Sequence, residues 1–425
     1  MKKVEHRSVP LVAILAGCGA SAPSGDSAAI ELGFLTALSG DLAGLGREFT
    51  DATQLALAEI NGQGGALGRP LRMALQDDGT SAAGAQVGYS ALLDHSVPVI
   101  LGPTFSAAVV TIAPLIKSGR TLTIGQTTTS PQLTNLDDGG YFYRVVASDT
   151  VQAKVLGELI VGEKARGYDV EELCIVYRED VYGTALADAT KREIEARQGT
   201  ETIVFTSAPY SPLQTDLTSV IEACGDPATK EGKSALLFVT FVADGASILN
   251  EAIRRGWSST RHRFFFTDGA QDQLLFTLLD DPQSINDARG IGPSGPDPGT
   301  EDGARLRDFK ERFLAFFGRN PTFYAENAYD AAYLAAMAIE IAGSATDRAA
   351  VVEAMGSVSS GEPVTAGNWS AIHEAIARDG QADYLGASGH LNLDQATGDL
   401  LPPYYVAVWQ VVAASMEIIE TRKVE

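Results

Sequence analysis

The feature that most constrains this chain is an alternation of short apolar runs with amphipathic stretches, played through twice. Residues 30–36, 71–75, 97–101 and 121–124 read as strands. Between them, residues 46–60, 81–93 and 106–117 carry apolar side chains at three- and four-residue steps, as helices do. The pattern breaks near Ala147 and restarts, with strands expected at 173–177, 202–205, 235–241 and 263–267. Helices are expected there at 151–164, 183–197, 213–223 and 246–255. Strand and helix alternating at this spacing predict parallel sheets with helices on both faces. The expected fold class is α/β, with two doubly wound lobes.

From Asp268 onward the chain turns helical, at 301–317, 324–341, 348–355 and 370–378, after a Pro/Gly-rich loop at 292–300. It closes with strand-like pieces at 390–393 and 404–412. Four helices and one short strand do not make a third α/β domain. The expected division is therefore lobe one from 29–146 plus 270–400, and lobe two from 147–269 plus 401–425.

Ahead of this frame stands Leu15-Ala16-Gly17-Cys18, preceded by Lys2, Lys3, Arg7 and an apolar run over 9–16. A basic stretch, an apolar stretch and small residues before a cut describe an export signal. The run is well short of the roughly 20 apolar residues a spanning helix needs. The four residues match the lipobox of bacterial lipoproteins. They predict a signal peptide over 1–17, lipidation of Cys18 and a flexible linker over 18–28. The protein is then expected outside the cytoplasm, anchored to a bacterial membrane.

The chain has three cysteines. With Cys18 lipidated, Cys174 and Cys224 remain as a pair in an oxidising compartment. Their spacing fits no zinc site, so a disulfide is expected. In a 2-1-3 strand order the first and third strands are neighbours, which brings the two cysteines to one edge of the sheet.

Acidic residues outnumber basic ones 54 to 32, a formal charge of −22. Such a surface argues against nucleic acid and against adhesion to anionic lipid. Signatures of catalysis fail one by one. Gly386-Ala387-Ser388-Gly389-His390 lacks the last glycine of a nucleophile elbow, and His373-Glu374 has no second histidine. Gly44-Leu45-Gly46 lacks the third glycine of a dinucleotide fingerprint. The chain is expected not to be an enzyme and to need no cofactor or metal.

In open α/β sheets, ligands bind beyond the carboxyl ends of the strands. Those positions hold Thr104-Phe105-Ser106 after one strand and Thr127-Thr128-Thr129 after the next. Helix N-termini flanked by hydroxyls suit a carboxylate; the same hydroxyls also fit as plain N-caps. The second lobe offers Tyr182, Asp244 and Asp268, an aromatic and two carboxylates fit for an ammonium group. Asp244-Gly245-Ala246 reads equally as a helix N-cap.

The stretches IELGFLTALSGDLAGLGREF, LALAEINGQGGALGRPLRMALQDD, VPVILGPTFSAAV, TTTSPQLT and YFYRVVASD resemble the type I periplasmic solute-binding proteins of the leucine/isoleucine/valine-binding class. The likeness continues through CIVYREDVYGTALADA, QTDLTSVI, FFFTDG, YAENAYDAAYLAAMA, ADYLGASGHLNLD and YYVAVWQVV, in order along the mature chain. It implies two α/β lobes joined by three crossovers around a ligand cleft. It implies that Ser106 binds the carboxylate and ammonium of an amino acid, with Thr104 and Phe105 lining the pocket. Thr127, Thr128 and Thr129 would hold main-chain groups of the ligand, and Tyr182 would close over it. Asp244 falls where branched-chain binders carry a glutamate, and Leu45 where they often carry an aromatic. The implied function is capture of an amino acid or similar small molecule for an ABC permease and its ATPase subunits. The alternative is a ligand-sensing subunit for a signalling partner.

Overall fold

The computed structural model describes residues 28–199 and 202–425. Cys18 and the leader before it lie outside the described residues.

The first lobe opens with β1 (Ile30–Thr36), α1 (Ala43–Gly62), β2 (Leu71–Asp77), α2 (Ala82–Asp94), β3 (Val99–Leu101), α3 (Ser106–Gly119), β4 (Leu122–Gly125) and β5 (Phe142–Arg144). All five strands are parallel, in the order β2-β1-β3-β4-β5. Alternate side chains serve opposite faces. Leu32, Phe34, Val99 and Leu101 enter one core, while Leu35 and Ile100 enter the other. A sheet buried on both faces needs runs that are apolar throughout, as the three residues of β3 are.

The second lobe repeats the plan with α4 (Asp149–Gly162), β6 (Glu172–Arg178), α5 (Val181–Arg197), β7 (Val204–Tyr210), β8 (Ser234–Val239), α6 (Val242–Arg254), β9 (Arg263–Phe266), α7 (Leu274–Leu278) and β10 (Arg289–Pro293). Its parallel strands run β7-β6-β8-β9-β10, the same order as in the first lobe. Cys174 in β6 is bonded to Cys224, with their Cα atoms 5.5 Å apart.

After β10 the chain returns to the first lobe as α8 (Ala304–Phe317), α9 (Ala325–Ala342), α10 (Arg348–Glu353), β11 (Pro363–Thr365), α11 (Trp369–Asp379) and β12 (Asp383–Leu385). Helix α9 is buried on almost every side, from Ala325 through Ile339. A helix apolar all round belongs inside a core, and its many alanines let α1 and the sheet pack close against it. The last crossing leads to β13 (Tyr404–Val412) and β14 (Ser415–Val424), which add to the second sheet antiparallel to β10 and to each other.

Three expectations need correction. The sequence predicts that lobe one resumes at residue 270 and runs to 400, but β10 pairs with β9 and β13 in the sheet of lobe two. Its sequence, Arg-Gly-Ile-Gly-Pro, has a single large apolar residue and so carries no strand pattern. Gly290 is needed there, because a Cβ would lie 2.0 Å from the Trp409 ring. The helix expected over 213–223 is absent except for a short turn, Ile221–Cys224. Leu213 is 90% exposed, and Asp216 accepts from the N–H of Thr218, a local bond that competes with helix formation. The piece at 390–393 is no strand but two isolated bridges, Leu385 to His390 and Leu393 to Leu400.

Candidate functional site

The carboxyl ends of the two sheets face one another across a narrow cavity with a free volume of about 30 Å3. Its walls include Leu42, Leu45, Thr104, Phe105, Ser106, Thr127 and Thr129 from lobe one. Tyr182, Phe241, Asp268 and Gly269 come from lobe two, and Tyr324 from the start of α9.

On the first lobe, β3 is followed by Gly102, whose φ of +106° and close approach to the Leu35 carbonyl oxygen admit only glycine. The turn delivers Thr104, Phe105 and Ser106 to the start of α3. Phe105 is the N-cap residue and no side chain caps the helix. Ser106 is thus not a cap; its buried hydroxyl instead accepts from the N–H of Ser130 at 3.2 Å. Thr127 donates to the carbonyl of Thr104 at 2.7 Å, which ties the two strand-end loops into one wall. The Thr104 hydroxyl is turned toward β1 and accepts from Ala37 N at 2.8 Å. This wall therefore presents hydroxyls and a helix N-terminus, the groups that attract an anion.

The facing wall is aromatic and acidic. Asp180 caps α5 by accepting from Tyr182 N and Gly183 N, which sets Tyr182 at the cavity. Its ring stacks on Phe241 with centroids 5.6 Å apart. Its hydroxyl donates to Asp268 at 2.7 Å, and Tyr324 donates to the other carboxylate oxygen at 2.5 Å. Tyr324 holds a left-handed backbone, φ +66°, a strained conformation for an aromatic residue that aims its hydroxyl at this carboxylate. Burial and then the Asp268 charge push both tyrosines well above their usual range, so both stay protonated donors. Burial also raises the Asp268 carboxyl, against the opposing pull of the two tyrosine hydrogen bonds. Behind it, Asp149 is raised by burial and by the neighbouring Asp268 charge.

Two expected site residues are elsewhere. Asp244 does not line the cavity. It pairs with the Arg178 guanidinium and accepts from the Tyr210 hydroxyl at 2.7 Å. Nor is it an N-cap, since α6 starts at Val242 and Phe241 holds that position. Thr128 turns inward: its hydroxyl is buried without a partner among the described residues, and its carbonyl accepts from Arg144 at 3.3 Å. Sequence reasoning missed Leu42, Phe241, Gly269 and Tyr324. Phe241 and Gly269 stand at strand ends where Asp268 was found, so position was signal enough. Nothing in the sequence marks Tyr324.

The lobes also touch directly. Ser130 donates to the carbonyl of Val181 at 2.9 Å, and Asp41 stands 3.8 Å from Arg178. Among the described residues there is no cluster of ligands for a metal and no helix long and apolar enough to cross a membrane.

Two lobes of one topology thus enclose a cleft between the carboxyl ends of their sheets. Residues 29–384 match the periplasmic binding protein family. The chain is 25% identical over 409 residues to the chemotactic signal transduction system substrate-binding protein BasB of Halobacterium salinarum, covering 93% of this chain and 90% of that one. It is 26% identical over 339 residues to the Leu/Ile/Val-binding protein BraC3 of Rhizobium johnstonii, covering 77% and 83%. Its fold matches the branched-chain amino acid transporter substrate binding protein LivJ of Streptococcus pneumoniae, solved with isoleucine. That match has a TM-score of 0.72 at 19% identity, over 93% of this chain and all of that one. The chain belongs to the periplasmic binding protein family. The family is one of binding proteins.

Proposed function

We propose that this protein captures an α-amino acid, or a close analogue, outside the cytoplasm and delivers it to an ABC permease and its ATPase subunits. The observation that carries this reading is the split chemistry of the cleft. Hydroxyls and the uncapped N-terminus of α3 line one wall, and the buried Asp268 carboxylate faces them. A zwitterion fits such a pair, its carboxylate at Ser106 and its ammonium at Asp268. Thr127 and Thr129 border the carboxylate side, Tyr182 and Phe241 enclose the ligand, and Leu45 stands at the mouth. Relatives named for amino-acid binding support the same class of ligand. Attachment through a lipid on Cys18 would keep the protein beside its permease, and Cys18→Ser should release it from the membrane fraction.

A thermal-shift screen against the common amino acids tests the reading. A ligand at 100 times its dissociation constant adds about 2.7 kcal/mol of stability. If no amino acid raises Tm, the reading fails. The likeness to a chemotactic substrate-binding protein over most of both chains supports a second reading, a receptor that reports its ligand to a signalling partner. Co-purification with a permease favours transport, and with a transducer favours sensing.

A further inference from the structure

Gly44-Leu45-Gly46, which fails as a dinucleotide fingerprint, opens α1 where the two lobes meet. Its glycines serve different neighbours. A Cβ on Gly46 would lie 1.8 Å from the Ala37 carbonyl oxygen, inside lobe one. A Cβ on Gly44 would lie 3.1 Å from a carboxylate oxygen of Asp272, which belongs to lobe two. The other oxygen of Asp272 accepts from Leu274 N at 2.8 Å, so the side chain is held from its own lobe. Helix α1 is 20 residues long, its N-cap Leu42 makes no side-chain cap bond, and no acid stands in its first turn. The positive end of its dipole thus meets an anion from the opposite lobe.

Three residues upstream the contact runs the other way. Asp41 of lobe one stands 3.8 Å from the Arg178 guanidinium of lobe two. Asp77 accepts from the N–H groups of Leu38 and Ser39 at 2.9 and 3.2 Å, and Thr80 accepts from Leu42 N at 3.1 Å. The segment that carries Asp41 is therefore tied to lobe one. Arg178 pairs with Asp244 and Asp180 and lies 4.0 Å over the Phe241 ring, so it is tied to lobe two. Those two carboxylates also accept backbone N–H bonds at the starts of α5 and α6, which draws off part of their charge and leaves Arg178 attractive to Asp41. Asp41, Gly44, Arg178 and Asp272 all lie outside the lining of the narrow cavity, whereas Leu42 and Leu45 on the same segment belong to it.

We infer that Asp41 and Asp272 are positioning residues that clamp the lobes together around the start of α1. The clamp is reciprocal, one carboxylate from each lobe, and it favours the closed cleft without touching a ligand. Its free energy adds to whatever the ligand contacts supply in the closed state. This goes beyond the amino-acid reading and does not depend on it.

The test is the distance between the lobes of the intact protein without added ligand. Spin labels on cysteines placed at exposed Gln54 in α1 and Leu278 in α7 report it by pulsed dipolar spectroscopy. Asp41→Asn and Asp272→Asn should each lower the ratio of closed to open molecules by roughly two- to fivefold, and the double variant by more than either. Asn at 272 can still accept from Leu274 N, and unfolding curves check that both variants fold. Gly44→Glu should open the lobes too, because it sets a like charge before Asp272, although an acid in the first turn favours the helix itself. Raised salt should open the wild type and leave the double variant nearly unmoved. Distances unchanged in the double variant, or shifted toward the closed value, would overturn the clamp, as would an undiminished salt response. A failed amino-acid screen would leave these outcomes untouched.

Discussion

The two lobes are built on one plan and do opposite chemistry with it. Each has the strand order 2-1-3-4-5, and in each the loop after the third parallel strand reads Thr-Phe, namely Thr104-Phe105 and Thr240-Phe241. Both phenylalanines are N-caps of the next helix without a side-chain cap bond, and both line the cleft. The divergence comes one residue later, where lobe one has Ser106 and lobe two has Val242. The loops after the fourth strands diverge in the same sense, Thr127 to Thr129 against Thr267, Asp268 and Gly269. Topology thus fixes where the cleft lies, and single residues at matched positions decide whether a wall offers donors or a carboxylate. The lobes also differ in how they are finished. Lobe one is completed by α9 and its neighbours late in the chain, lobe two by the β13–β14 hairpin and a disulfide.

The largest test of that contrast is the disulfide, a device only lobe two carries. It closes a loop of 50 residues, so Cys174→Ser with Cys224→Ser should cost about 4 kcal/mol in the chain-entropy account. Guanidinium unfolding checks this, and ligand affinity should stay nearly constant because the bond lies outside the cleft lining. A large loss of affinity with unchanged stability would break the division between structural and binding parts.

Next in size is the acid wall. Asp268→Asn should weaken amino-acid binding by about 3 kcal/mol, the low end for removing one member of a buried charge pair. Its deaminated acid analogue should lose less. Asp244→Asn should instead lower stability, since it takes a partner from buried Arg178. Calorimetric titration and thermal unfolding of both variants separate the two carboxylates; a loss of binding confined to Asp244→Asn would reverse their roles.

On the donor wall, Ser106→Ala should cost about 2 kcal/mol of affinity, the worth of a hydrogen bond to a charged group. Because Ser106 is not the cap of α3, the free protein should lose little stability. A drop in Tm without a change in affinity would make it a structural tie to Ser130 alone.

The sequence made the donor wall easier to read than the acid wall, for a physical reason. Thr104 to Ser106 and Thr127 to Thr129 are contiguous hydroxyl-rich runs directly after buried strands, and five of those six residues line the cleft. Thr128 fails because successive residues of an extended loop point opposite ways. In lobe two the apolar run Val239-Thr240-Phe241 reads as strand to its last residue, yet β8 stops at Val239 and α6 starts at Val242. That shift moves Asp244 from a strand-end loop into the first turn of a helix, beside Arg178. β10 escaped notice because Gly290, which admits Trp409, and Gly292, which lies against Gln271, erase its apolar pattern. Tyr324 escaped because its placement depends on a left-handed backbone, which composition does not encode for tyrosine.

The smallest predicted effect is a pH dependence that belongs to the acid wall alone. Burial raises the Asp268 carboxyl above its ordinary 3.8, so the free protein holds this proton at a pH where the unfolded chain has released it. An ammonium group binds the ionised form, so affinity should fall as pH drops through the raised midpoint. At the midpoint itself the loss is about twofold. The contribution of the same carboxyl to the stability of the free protein has the opposite sign. The native state binds more protons than the unfolded state between 3.8 and the raised midpoint, so stability from this group rises as pH falls across that window. Affinity falling while the free protein gains stability is a combination that general acid denaturation does not produce. Titrations from pH 8 to 4, paired with unfolding curves, check it. Asp268→Asn should flatten the affinity profile and Ser106→Ala should lower it without moving its midpoint. A midpoint that survives Asp268→Asn would transfer the proton to Asp149, whose carboxyl is raised by burial and by Asp268 itself.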